Sequence, residues 1–150
     1  MRYLVDTNVF IDFIMGREPF FGDAKTFFKQ ANLHHDSIYM CGMSLRDIEY
    51  HAHRISKDAK LARRVTLRAY ESCTKVVDAF ADAYITAIYE DITDYEDAVI
   101  MTTAELEMCD LIISNNTKDF KNSKVPCLTP REINEKLYRV NVNKQEVRIN

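Results

Sequence analysis

The sequence predicts an α/β fold, a three-layer α/β/α sandwich around a central, mainly parallel sheet of about five strands. Three observations lead there. Short apolar runs such as Tyr3-Leu4-Val5 and Leu111-Ile112-Ile113 are too short for helices and carry the branched residues that strands favour. Between the runs lie longer stretches with apolar residues three and four apart, so strands alternate with helices, the order that lays strands side by side in parallel. The chain has 150 residues, enough to bury the core of one domain.

Each element has a local reason. Arg2 to Val5 reads as a buried strand and Val9 to Met15 as a short helix stopped by Gly16. Pro19 is placed to open the next helix, with Phe20, Ala24, Phe27, Phe28 and Ala31 as a core-facing stripe. Ser37 to Cys41 is a second strand. Ser44 then reads as the cap of a helix whose core side is Leu45, Ile48, Ala52 and Ile55. Asp58 caps a basic helix with Leu61, Val65 and Ala69 inward and Lys60, Arg64 and Arg68 on the opposite side. Thr74 to Val77 is the third strand, followed by a helix over Phe80 to Tyr89. A helix opened by Asp94 to Asp97 buries Ile100, Met101, Ala104 and Met108. Leu111 to Ser114 and Val125 to Leu128 complete the sheet. Thr129-Pro130-Arg131-Glu132 combines a capping box with proline at the first helical position. The expected domain covers 1–138, and 139–150 reads as a tail or an edge strand.

Composition excludes several classes. Hydrophobic residues make 47% and charged residues 29%, as in ordinary globular proteins. No apolar run approaches a membrane span and no secretory signal is recognisable, so cytoplasmic localisation is expected. Cys41, Cys73, Cys109 and Cys127 form no C-x-x-C pair and read as small buried hydrophobes. His51 and His53 are two apart and point to different helix faces, which argues against zinc. The net charge of -3 is compatible with polyanion binding because the charges are segregated. Basic side chains crowd the 54–68 stretch, and acids gather between Asp91 and Glu107.

The chemistry lies at the strand ends. The first strand runs into Asp6-Thr7-Asn8, and the fourth into Ser114-Asn115-Asn116-Thr117-Lys118-Asp119-Phe120. Parallel sheets place such residues along the carboxyl edge, where α/β folds build their sites. Converging carboxylates need a counter-charge, and hard cations such as Mg²⁺ or Mn²⁺ take oxygen ligands. The residues alone therefore point to a metal-dependent enzyme cutting phosphodiesters. A haloacid-dehalogenase-type phosphatase also begins with a strand-end Asp, but it needs a second Asp two residues on, where this chain has Asn8.

Nearly the whole chain, from Leu4 to about Leu137, resembles the PIN-domain family of small α/β nucleases. The likeness rests on Val5-Asp6-Thr7-Asn8-Val9-Phe10, on Gly16-Arg17-Glu18-Pro19-Phe20 with Asp23-Ala24, and on Asp94-Tyr95-Glu96-Asp97-Ala98 with Ala104-Glu105. It continues through Ser114 to Phe120 and Leu128-Thr129-Pro130. The resemblance implies a Mg²⁺- or Mn²⁺-dependent endoribonuclease with Asp6, Asp47, Asp97 and Asp119 as catalytic metal-binding acids. Asn8, Ser114 and Asn116 would support them, and Glu49 is the rival of Asp47. It further implies an RNA substrate, a small antitoxin partner and a homodimer, because many bacterial members are toxins of toxin–antitoxin pairs. The basic face of Lys60, Arg64 and Arg68 reads equally as an RNA guide or as a solvated surface. The alternative is a catalytically weak PIN-like module that binds RNA or protein. One departure stands out: the family often has Thr-Arg-Asn where this chain has Ser114-Asn115-Asn116, which removes one possible phosphate contact. Asp12 and Glu96 read as structural or supporting residues, and Thr7 and Ser114 fit local backbone capping equally well.

Overall fold

The computed structural model describes residues 1–89 and 94–140. Its sheet is five-stranded: β1 (Arg2–Val5), β2 (Ser37–Cys41), β3 (Lys75–Val77), β4 (Leu111–Ile113) and β5 (Cys127–Leu128) lie in the order β3-β2-β1-β4-β5. Every pairing is parallel, and Val5 is in register with Met40 on one side and Ile113 on the other. The strands therefore end together. Since β1 starts in the middle and the chain builds first to one side and then to the other, the crossover point falls between β1 and β4.

The helices are α1 (Thr7–Met15), α2 (Phe21–Leu33), α3 (Gly42–Ser56), α4 (Ala59–Glu71), α5 (Ala81–Tyr89), α6 (Tyr95–Leu106) and α7 (Pro130–Lys136). Alternation along the strands splits the core into two layers. Tyr3, Val5, Ile38, Met40 and Ile113 pack with Phe10 of α1, Phe27 and Phe28 of α2, Ile48 of α3 and Ile133 of α7. Leu4, Val77 and Ile112 face the other way, onto Ile100, Met101 and Ala104 of α6. α5 joins this side by packing Ala83 and Ala87 against Ala98 and Val99. The three-layer expectation holds, with all five strands parallel.

Several local expectations need correction. α1 begins at Thr7 rather than Val9, with Asp6 itself in the N-cap position. The Arg17 carbonyl accepts the Phe20 and Phe21 amides in a turn, so α2 opens at Phe21 instead of Pro19, and Phe20 stays exposed. α3 leaves β2 without a break, with Cys41 at its N-cap; Ser44 is inside the helix and fully buried, not a cap. Ile55 lies in the last turn of α3 and is exposed. On α4 the small residues Ala62 and Ala69 face inward and Leu61 is exposed, since short side chains let the helix approach its neighbours closely. Met108 is exposed at 73%, because α6 ends at Leu106 and Met108 sits in a turn with φ of 51°. The capping box at Thr129 forms as expected, with Glu132 N–H donating to the Thr129 hydroxyl at 3.1 Å and Thr129 N–H to the Glu132 carboxylate at 2.9 Å.

Both chain ends described are fastened to Asp36. Its carboxylate accepts from the N-terminal ammonium at 2.5 Å, from the Tyr3 hydroxyl at 3.1 Å and from the Tyr138 hydroxyl at 2.7 Å. The tail or edge strand expected at 139–150 lies outside the described residues from 141 onward. Among the described residues, no helix is long and apolar enough to cross a membrane.

Candidate active site

Asp6 sits where β1 turns into α1. Its backbone N–H donates to the Ile113 carbonyl at 2.9 Å, so the sheet ladder itself fixes its position. Its side chain is 3% exposed and accepts a 2.8 Å hydrogen bond from the Ser114 hydroxyl. That bond spans the crossover point, joining the residue after β1 to the residue after β4. The same hydroxyl accepts the Asn116 amide at 3.0 Å, and the Asn116 side chain donates to the Asp119 carboxylate. One chain of contacts thus orients Asp6, Ser114, Asn116 and Asp119.

α6 supplies the facing acids. Asp94 caps the helix by accepting the Glu96 and Asp97 amides, which sets the first turn and the direction of both carboxylates. Asp97 is only 9% exposed. Burial, with the charges of Asp6, Asp94, Asp119 and Glu96 around it, pushes its carboxyl up to about 7. Burial also raises Asp6, against the pull of the Ser114 hydroxyl and the Asn8 and Thr7 amides. Burial and the charge of Asp47 raise Glu96.

Of the four expected acids, Asp6 and Asp119 act on Asp97 through their charges, and Asp47 acts on Glu96. Asp47 itself is held by Arg46, whose Nη2 lies 3.0 Å from its carboxylate. Asp47 lies near the start of α3, and its charge helps to raise Glu96. Asn8 is exposed in the first turn of α1. Lys60, Arg64 and Arg68 are exposed on α4. Arg68 lines a groove of about 520 Å³ with Phe13, Ile14, Met15 and Glu71, which Asp6, Asp47, Asp97 and Asp119 do not border.

Two residues gain a role that sequence reasoning did not give them. Glu96, expected in a structural or supporting role, lies within the field of Asp47, Asp6 and Asp94 and accepts the Thr7 hydroxyl at 3.2 Å. Thr7 also contacts the buried Ser44 hydroxyl at 2.8 Å, so its bonds are tertiary and join α1, α3 and α6. A signal existed: Glu96 lies in the same first helical turn as Asp97, and side chains there cluster at the helix end.

Among the described residues, no ion pair engages Asp6, Glu96, Asp97 or Asp119. Like charges so placed must take up protons or a cation. The donors are all hard oxygens, the kind Mg²⁺ and Mn²⁺ accept. In the side-chain positions present, no three His, Cys, Asp or Glu among the described residues form a set ready to hold a metal ion. The donor chemistry fits the ion, and ligation requires the carboxylates to close on it.

An all-parallel sheet with acids at its carboxyl edge, facing a helix that begins with further acids, defines an α/β protein with an acidic site. The family model described as PIN domain matches residues 2–118, and the chain belongs to the PIN-domain family. Solved structures agree in fold. A chain of the VapBC2 complex from Rickettsia felis, bound to a DNA fragment from its promoter, is 18% identical with a TM-score of 0.63, covering 86% of this chain and 98% of that one. A chain of a toxin–antitoxin complex from Klebsiella pneumoniae is 24% identical with a TM-score of 0.62, covering 85% and 97%. A chain of FitAB bound to an IR36 DNA fragment is 14% identical with a TM-score of 0.61, covering 86% and 95%. No curated protein matches the chain significantly.

Proposed function

We propose that this PIN-domain protein is a divalent-metal-dependent endoribonuclease and the toxin of a toxin–antitoxin pair, acting in the cytoplasm. The observation that carries the reading is the set of carboxylates at the crossover point without an ion-pair partner among the described residues, with Asp97 raised to about 7 by burial and by its acidic neighbours. Asp6, Asp47, Asp97 and Asp119 would hold Mg²⁺ or Mn²⁺. When bound, such an ion supplies charge neutralisation at the phosphate and a more acidic water. The protein's own residues do the arranging. Ser114 holds one oxygen of Asp6, Asn116 orients Asp119, and Thr7 anchors Glu96. RNA would be guided by the exposed Lys60, Arg64 and Arg68.

The partner reading draws on the structural neighbours, two of which are described as toxin–antitoxin or VapBC complexes. An antitoxin that lays an arginine over the acids would satisfy the same field without supporting chemistry. Exposed Ile85, Ile88 and Tyr89 on α5, with Tyr50 and Leu67 on α3 and α4, favour a homodimer, since apolar surface of this kind gains from being covered.

One observation favours a second reading, a PIN-like module that binds RNA or protein without cutting: the acids do not stand in a ready ligand set. A cleavage assay on mixed single-stranded and structured RNAs decides between them. Cutting that needs Mg²⁺ or Mn²⁺, stops in EDTA and falls by roughly two or more orders of magnitude in Asp6→Asn supports the nuclease. RNA binding with no cutting in either metal supports the module. Cleavage by Asp6→Asn at the wild-type rate in EDTA would falsify the metal-dependent mechanism.

A further inference from the structure

Asp12 is a carboxylate in apolar surroundings. It lies mid-way along α1 between Ile11 and Phe13, and its side chain is 2% exposed. Burial pushes its carboxyl up, opposed by Arg17 and Asn115. A helix with only a packing task at this position would be served better by an apolar residue, because a buried charge needs dedicated partners. The chain supplies them from two directions. Gly16, with φ of 65°, reverses the backbone, and the Gly16 and Arg17 amides both return to the Asp12 carbonyl. This turn brings the Arg17 guanidinium to 3.4 Å from one carboxylate oxygen, Oδ1. The other oxygen accepts the Asn115 side-chain amide at 2.9 Å.

Asn115 belongs to the loop that follows β4. Its neighbour Ser114 donates to Asp6, and Asn116 donates to Asp119. α1 begins at Asp6 and carries Asp12 six residues on, about 9 Å along a rigid helix. Tying the loop to Asp12 therefore ties it to the same body that carries Asp6. We propose that Asp12 is a positioning residue. Through Asn115 it locks the 114–119 loop onto α1, so that Asp119 and the Ser114 hydroxyl keep a set place relative to Asp6. Gly16 and Arg17 serve the same lock by neutralising the carboxylate from the far side. The consequence for metal affinity rests on the metal-site reading above; the lock itself does not.

Two readouts separate these. Asn115→Asp replaces the 2.9 Å hydrogen bond by two facing carboxylates, while the double variant Asp12→Asn with Asn115→Asp restores a donor and an acceptor with their roles exchanged. Mn²⁺ titration followed by paramagnetic resonance reads affinity, and hydrogen exchange at the Asn116 amide, held by the Ser114 hydroxyl, reads the loop without metal. The single variant is expected to lose roughly tenfold or more in Mn²⁺ affinity, although its added negative charge alone would raise it. Its Asn116 amide should exchange faster by about the same factor, and the double variant should recover most of both. Unchanged Asn116 exchange in the single variant overturns the lock. So does a lowered melting temperature with Mn²⁺ affinity intact, which is the signature of packing alone. A loss that the exchanged pair fails to recover also overturns it. If the wild type binds no Mn²⁺, the metal-site reading falls, and the Asn116 amide alone decides the fate of the lock.

Discussion

Asp97→Asn should make the metal-free protein more stable at alkaline pH. The Asp97 carboxyl is raised from 3.8 to about 7 by burial and by Asp6, Asp94, Asp119 and Glu96. An acid with a folded value above its unfolded one binds its proton more tightly in the folded state. Its favourable contribution is complete below the unfolded value, declines as pH rises from about 4, and is gone once the folded value near 7 is passed. A shift of roughly three units corresponds to about 4 kcal/mol, and water at the rim of the cluster reduces that to on the order of 2 kcal/mol. Asparagine keeps the shape and stays neutral at every pH. In a domain of this size, about 2 kcal/mol raises the melting temperature by roughly 4–8 °C. Thermal unfolding in EDTA at pH 5 and pH 8 measures it: the variant should gain most at pH 8 and clearly less at pH 5. Millimolar Mn²⁺ should stabilise the wild type at pH 8 and do so much less for the variant, because the cation does the work of the proton. A variant that melts at or below the wild type at pH 8 in EDTA would refute the claim that the acids are uncompensated.

Other perturbations probe separate parts. Asp47→Asn should weaken Mn²⁺ binding more than Glu49→Gln, measured by calorimetry; the reverse order would make Glu49 the α3 acid of the site. Reversing the charges of Lys60, Arg64 and Arg68 together should weaken RNA binding and flatten its salt dependence by about two to three units of slope, as fewer counterions are released. An unchanged slope would leave this face merely solvated. At Asp36, burial pushes the carboxyl up, but the N-terminal ammonium, Tyr138 and Tyr3 outweigh it and hold it below its ordinary value. Its contribution is therefore present at neutral pH and lost as pH falls below about 4. Asp36→Asn should cost about 1–2 kcal/mol in urea unfolding at pH 7 and much less at pH 3, and equal losses at both would contradict the assignment.

The sequence by itself determined the layer order and most element cores. Tyr3-Leu4-Val5 and Leu111-Ile112-Ile113 are apolar on both faces, which only a strand covered on both sides requires. Asp94 and Thr129 announced their helices because capping is local, a matter of three or four residues. The positions of Asp6 and Asp97 were legible for a related reason: a strand end or a helix start places a side chain at the end of its element whatever the rest of the chain does. What depended on packing was not legible. The rotation of α4 that buries Ala62 and exposes Leu61 follows from how closely α3 and α4 approach, and a helical pattern shared by two possible faces cannot choose between them. Ser44 looked like a cap until β2 ran directly into α3 and left its hydroxyl to Thr7. Glu96 entered the acidic group, and Asp12 met Asn115 across 103 residues of chain, only because the sheet order puts β1 beside β4. Sequence fixes which side chains can stand at an edge, since that needs only neighbours along the chain. Which of them meet depends on the sheet order and on helix approach, and those are decided by contacts between distant segments.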